Sequence, residues 1–308
     1  MKIQPAGFLL LGLPVLALAQ QALLNDNPAT NSASLDTQQV TARNQLPGEA
    51  MSASQGYVTG EEINSRPLLR TGEVLELVPG LVVTQHSGSG KANQYFLRGF
   101  NLDHGTDFAT FVDGMPVNMR THGHGQGYTD LNFIIPESIS ALSYQKGSYY
   151  ADVGDFSGAG SAALQTADVF AQGLAQLSLG EDQYRRALLL DSLSNGQGDW
   201  LYALERNTYD GPWSDIREDL DKTSLLLKHR RTLAGGKLSL SFMGYDNQWN
   251  SADQIPQRAV DSGLIDELGS LNDSVGGESS RYSLNAIWQR EGVQASAYAI
   301  RYDMNLWS

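Results

Sequence analysis

From Gln172 onward apolar and polar side chains take alternate positions. Ala175, Leu177 and Leu179 alternate with Gln176 and Ser178, and Leu238, Leu240 and Phe242 alternate with Ser239, Ser241 and Met243. Tyr282, Leu284, Ala286 and Trp288 alternate with Ser283, Asn285, Ile287 and Gln289. A period of two with one apolar face belongs to a half-buried strand. The pattern predicts seven strands, at roughly 172–180, 185–194, 200–208, 222–231, 237–249, 279–290 and 293–305. In the second and fourth, Leu188-Leu189-Leu190 and Leu225-Leu226-Leu227 run through the alternation.

The connections sort into two kinds. Asn195-Gly-Gln-Gly-Asp, Ala234-Gly-Gly and Glu291-Gly292 are tight, whereas 209–221 and 250–278 are long. Short turns alternating with long loops are the arrangement of an outer-membrane barrel, whose apolar face meets lipid and whose polar face meets the lumen. Trp200, Tyr209, Trp213, Trp249 and Tyr282 fall near strand ends, where interfacial aromatic girdles sit. Such a barrel has an even strand number and must close. An open edge in lipid leaves unpaired backbone groups at several kcal/mol each. The expectation is therefore the N-terminal part of a longer barrel protein.

Upstream, Lys2 precedes the apolar run Ala6–Ala19, and Ala17-Leu18-Ala19 offers small residues at the positions a signal peptidase reads. Residues 1–19 read as a secretory signal peptide. Residues 20–45 are mostly polar and lack apolar periodicity, as in a flexible arm. Thr71 is a candidate N-cap for a helical stretch Glu73–Leu77, which Pro79-Gly80 stops before the β-branched run Leu81–Thr84. From Gln94 to Leu164, short apolar runs alternate with Gly, Asp and Asn, as in short strands joined by tight turns. Arg98-Gly99 and Asp113-Gly114 place glycines where the chain must reverse.

Five pieces in order, Glu73–Val83, Leu97-Arg98-Gly99, Val112-Asp113-Gly114, Ile139–Gly147 and the glycine-rich Gly154–Gly160, resemble the plug domain of TonB-dependent outer-membrane receptors. The resemblance implies a mainly β protein: a small α+β plug at 46–167, followed from 168 to 308 by the first strands of a transmembrane antiparallel barrel. It implies energy-coupled uptake of a scarce substrate, an iron–siderophore complex or a metal ion, with carbohydrate or cobalamin as alternatives. The implied partners are a TonB-type periplasmic energy transducer, outer-membrane lipid and a small extracellular substrate. Leu35, Asp36, Thr37, Val40 and Thr41 resemble the segment offered to that transducer, where strand addition supplies main-chain hydrogen bonds. Gln38 and Gln39 depart from the apolar residues usual there. Arg98 and Lys146 resemble the basic residues that hold a plug to acids of the barrel wall. From another class, a secreted or periplasmic β-rich binding module without transport also fits the strand pattern.

Composition narrows these readings. Acids outnumber bases 34 to 21, for a net charge of −13, which argues against nucleic acid as a partner. Zero cysteines exclude disulfides, thiolate metal sites and a cysteine nucleophile. No Gly-x-Ser-x-Gly elbow, His-Glu-x-x-His or phosphate loop is present, so neither an enzyme nor a cofactor is expected.

The sharpest candidate site is the loop Met119–Tyr128, which in the resembled family faces incoming substrate. His122, His124 and Tyr128 lie in it, with Asp103 and His104 nearby in sequence. Imidazoles and carboxylates suit zinc, copper or nickel. Three roles fit His122 and His124: hydrogen bonding within a polar loop, contact with an organic substrate, and metal coordination. The loop 250–278 carries six acids against Arg258 and reads as a solvated face.

Overall fold

The computed structural model of the protein describes residues 8–11, 53–68, 70–85, 88–121, 125 and 127–307. Strand β1 (Phe8–Leu11) comes first. An N-terminal unit follows, with β2 (Gln55–Thr59), helix α1 (Gly60–Asn64), a 3-10 helix (Thr71–Leu77), β3 (Leu81–Thr84), β4 (Gln94–Leu97) and β5 (Phe100–Asn101). It continues with β6 (Phe108–Val112), β7 (Met115–Pro116), β8 (Ile139–Lys146) and β9 (Gly160–Thr166). Two small sheets result, one in the order β2-β8-β9-β6-β7 and one in the order β3-β4-β5. Among the described residues only the β6–β9 pair is parallel.

The helix cap differs from the expectation. Arg70, not Thr71, is the extended N-cap residue, and its backbone N–H donates to the Glu73 carboxylate at 3.2 Å. Thr71 is already helical and buried, and Val74, Leu75 and Val78 face the core.

Two hairpins explain the Arg-Gly and Asp-Gly pairs. Arg98 and Gly99 have φ of 53° and 82°, and Asp113 and Gly114 have 47° and 78°. A two-residue hairpin turn that matches strand twist needs positive φ at both positions. Aspartate tolerates the first, and glycine takes the second without Cβ strain.

The rest of the chain is one sheet of long strands: β10 (Leu174–Leu179), β11 (Arg185–Asn195), β12 (Gly198–Tyr209), β13 (Leu220–Leu233), β14 (Gly236–Asn250), β15 (Gly276–Arg290) and β16 (Val293–Trp307). Every pairing is antiparallel between sequence neighbours, and β1 lies against β16 at the far edge. These strands fall on the seven alternating stretches. β10 is shorter than its pattern and the others are longer.

The N-terminal unit packs on one face of this sheet. Its buried Ile63, Leu75, Val112 and Leu142 form one apolar cluster with Leu188, Leu190, Leu201, Leu226, Met243 and Ile300 of the long strands. That accounts for the unbroken leucine runs. Leu188 and Leu190 face this core at 3% exposure, whereas Leu189 between them faces out at 46%. A strand with apolar surroundings on both faces loses its alternation.

The outward face carries Leu177, Leu193, Trp200, Leu204, Leu240, Tyr282 and Leu284, all exposed. No described helix is long and apolar enough to cross a membrane. Two of the five girdle candidates, Trp200 and Tyr282, lie on this face. Trp249 instead is buried against the N-terminal unit, where a Cβ on Gly90 would come within 2.1 Å of its ring.

Candidate functional site

Gly196-Gln197, Ala234-Gly235 and Glu291-Gly292 close one end of the long strands, and the long connections 210–219 and 251–275 rise from the other. At the long-connection end a crevice of about 480 Å³ opens between the N-terminal unit and the sheet. Leu68, Arg70, Thr71, Asn132 and Pro136 line one side, and Tyr184, Arg186, Glu205, Asn207, Tyr209 and Lys222 the other. Tyr209, read from the sequence as a girdle residue, thus faces inward. Its ring meets Tyr184 edge-on at 6.0 Å between centroids.

The floor of this crevice is ionic. Arg186 donates from Nη1 and Nη2 to both oxygens of Glu137 at 2.6 and 2.7 Å, a bidentate contact from sheet to N-terminal unit. Its Nε donates to Glu205 at 2.6 Å, and Lys222 pairs with the other Glu205 oxygen at 2.7 Å. Glu205 is 1% exposed. A buried carboxylate is tolerable there because two cations share it.

Further links tie the units together. Lys228 of β13 donates to the Thr166 carbonyl and hydroxyl, both at 3.1 Å, and stands 3.8 Å from Asp113. Asp113 in turn accepts from the Thr166 backbone N–H at 2.9 Å, and its carbonyl accepts from Asn285 at 2.8 Å. On the far side, Tyr302 donates to Asp130 at 2.9 Å, and the Asn132 N–H donates to the same carboxyl at 2.9 Å. Burial pushes the Asp130 carboxyl above its ordinary range, while these hydrogen bonds and the charge on Arg281 pull it back. Arg281 is itself buried, with its guanidinium 4.4 Å from the Phe133 ring centre. At the crevice rim, the Ser89 N–H donates to the buried carboxylate of Glu218 from the 210–219 connection.

Comparison with known proteins bears on what this arrangement is. The family model described as the TonB-dependent receptor plug domain matches residues 48–161. Those residues have the fold of a TonB-dependent receptor plug. Solved structures with the same fold include a copper transporter, OprC, at 16% identity and a TM-score of 0.61, covering 83% of this chain and 38% of that one. The FrpB iron transporter from Neisseria meningitidis gives 16% identity and a TM-score of 0.59, covering 81% of this chain and 40% of that one. The siderophore receptor PirA from Acinetobacter baumannii gives 17% identity and a TM-score of 0.58, covering 82% and 40%. The likeness is one of fold, a plug seated on antiparallel barrel strands. The chain spans about 40% of the length of these structures.

Within the plug, the residues named from sequence scatter. His104 is fully buried, and its Nδ1–H donates to the carbonyls of Ala92 and Asn93, both at 3.0 Å. Two carbonyl partners require that this nitrogen carry the proton. Tyr128 is 1% exposed, and its hydroxyl accepts from the Ala92 N–H at 2.9 Å. Both hold plug backbone together and neither faces the crevice. Asp103 is half-buried in a left-handed turn beside His104. Met119 bridges to Tyr128 at the base of the loop, and Asn118 ties that base to the carbonyls of Gly105, Phe108 and Gly127. His122 and His124 lie outside the described residues, as do Leu35, Asp36, Thr37, Val40 and Thr41 and most of residues 1–19. Among the described residues no group of three or more His, Asp or Glu could hold a metal ion.

Arg98 is exposed in its hairpin turn. The Lys146 ammonium donates to the Pro79 carbonyl at 3.4 Å and lies 5.7 Å from the Tyr144 ring centre. The ammonium thus faces a plug neighbour, and among the described residues Glu137 and Asp113 of the plug make ionic links to the wall. The wall partners Arg186, Glu205, Lys222 and Lys228 escaped the sequence reading. One sign was available. Lys222 and Lys228 share the strand parity of Ser224 and Leu226, so they sit on the face opposite Leu225 and Leu227.

Proposed function

We propose that this chain works in a TonB-dependent outer-membrane receptor that takes up a scarce metal, as an iron–siderophore complex or a metal ion, by energy coupling. The observation that carries the reading is the plug seated on the inner face of a sheet whose outer face is apolar, with a crevice open at the long-connection end. An apolar outer face suits lipid, and a plug across the inner face suits a gated path. The similar structures, a copper transporter, an iron transporter and a siderophore receptor, support metal cargo.

In this reading residues 1–19 direct export, and residues 20–45 form the arm that offers Leu35–Thr41 to a periplasmic transducer as an added strand. Plug and wall divide near 167/168. His122, His124 and Asp103 would meet cargo, as ligands to a bare ion or as hydrogen-bonding groups to a chelate. The transducer supplies the energy, so no nucleotide site is required.

A growth test addresses this reading. A metal-starved Gram-negative host lacking its own receptors, expressing the protein in its full-length form, should regain growth on iron–siderophore or on limiting copper or zinc. Deletion of residues 35–41 should abolish the rescue. Absence of rescue by any of these cargoes, with the protein folded in the outer-membrane fraction, would refute it.

A further inference from the structure

We propose that Arg186 anchors an anion site in the crevice, and that a monoanionic aromatic carboxylate binds it by taking the place of Glu137. The inference deepens the uptake reading and rests on it for the role of the crevice.

The argument begins with charge. On the wall, Arg186 and Lys222 share the single carboxylate of Glu205, so this trio carries one positive charge in excess. The plug supplies the missing anion through Glu137, whose two oxygens sit on the Nη1–Nη2 edge of the guanidinium, Nη2 being shared with Glu205. That edge presents two parallel N–H donors, a geometry any carboxylate matches. Glu205 is sealed at 1% exposure, but the Glu137 side chain is 26% exposed and that of Arg186 14%. The internal carboxylate is therefore reachable by solvent, and the pair it makes is one that a dissolved carboxylate can contest.

The surroundings select the body of the ligand. Tyr184 and Tyr209 form an edge-on aromatic pair on the wall, and Leu68 and Leu220 add apolar surface. A planar aromatic ring finds both a face and an edge to pack on. Arg70 and Glu73 both line the plug side, so that side adds no net charge. Glu181 and Asp182 line the crevice from the β10–β11 connection, and their charge opposes a polyanion more than a monoanion.

The exchange has a structural consequence. Glu137 lies in the turn Pro136–Ser138 that leads directly into β8, which pairs with β2 and β9 in the plug sheet. When the ligand holds Arg186, this turn loses its ionic tie to the wall while the Lys228 and Tyr302 links remain. The plug is loosened on one side only.

The test uses the purified full chain in detergent, with benzoate as the probe and calorimetry as the readout. Glu137→Gln removes the internal competitor and should tighten benzoate binding at least tenfold over the parent. Arg186→Gln should abolish it. Equal binding in parent and Glu137→Gln, or binding retained in Arg186→Gln, would overturn the proposal, as would inorganic phosphate binding more tightly than benzoate. Because Arg186→Gln also disturbs Glu205, hydrogen exchange on the unaltered protein provides a second arm. Saturating benzoate should speed exchange of the amides at 137–141 and leave those at 110–113 unchanged. No change at 137–141 would count against the exchange. Neither arm requires transport. Benzoate binding without any metal uptake would sink the uptake reading alone, and uptake without benzoate binding would sink this one alone.

Discussion

Tyr302 of the wall donates its hydroxyl hydrogen to Asp130 of the plug at 2.9 Å, in a place where both side chains are buried. Removing that donor leaves a buried carboxyl short of a partner, which costs about 1–3 kcal/mol. Tyr302→Phe should therefore lower the denaturant midpoint, whereas Asp130→Asn keeps an acceptor for Tyr302 and should cost less. The pH dependence follows from burial. An acid whose folded pKa lies above its unfolded value binds more protons in the folded state, so stability falls as pH rises through the interval between the two. Parent stability relative to Asp130→Asn should accordingly grow as pH is lowered from neutrality through the carboxyl range. A flat difference across that range would contradict the burial account.

Lys228 is 7% exposed and holds Asp113, Asp168 and Thr166 at once. Breaking a buried pair on one side costs about 3–5 kcal/mol, because the abandoned charge stays buried. Lys228→Met in cells should admit large antibiotics that intact outer membranes exclude, and adding Asp113→Asn should restore part of the barrier. Sensitivity equal to the parent would show that this link does not seat the plug.

Two glycines separate backbone strain from crowding. A Cβ at Gly114 meets nothing within 4 Å, but its φ is 78°. Gly114→Ala should cost about 1–2 kcal/mol from conformation alone. A Cβ at Gly90 would lie 2.1 Å from the Trp249 ring, without positive φ. Gly90→Ala should displace Trp249, read as a shift in its fluorescence, and Gly114→Ala should leave that emission unchanged.

The histidine loop makes a separate prediction. If His122 and His124 act as metal ligands, the purified protein binds zinc, copper or nickel at micromolar or tighter affinity, and the double substitution to alanine removes the heat. An isotherm without heat for all three metals excludes that role and leaves contact with a chelate.

Much of the architecture was legible because it rests on local rules. A two-residue period, glycine in reversing turns and the contrast between Ala234-Gly235 and the 251–275 connection are written in single stretches of chain. What was not legible depends on the partner surface. The leucine runs at 188–190 and 225–227 look irregular until the plug core lies against their inner face. Trp249 and Tyr209 resemble girdle residues by position, yet strand parity turns them inward. His104 looks like a ligand until its two carbonyl partners, Ala92 and Asn93, are brought next to it by the fold. The Glu137–Arg186 pair joins residues far apart in sequence, and nothing local to either announces the other.

Metal accumulation driven by the proton gradient tests the central claim most directly. Cells carrying the protein in its full-length form would be given radiolabelled iron–siderophore, copper or zinc, with and without an uncoupler. The account predicts accumulation of one of these cargoes that stops when the gradient is collapsed. Accumulation that continues at the same rate in uncoupled cells would contradict it.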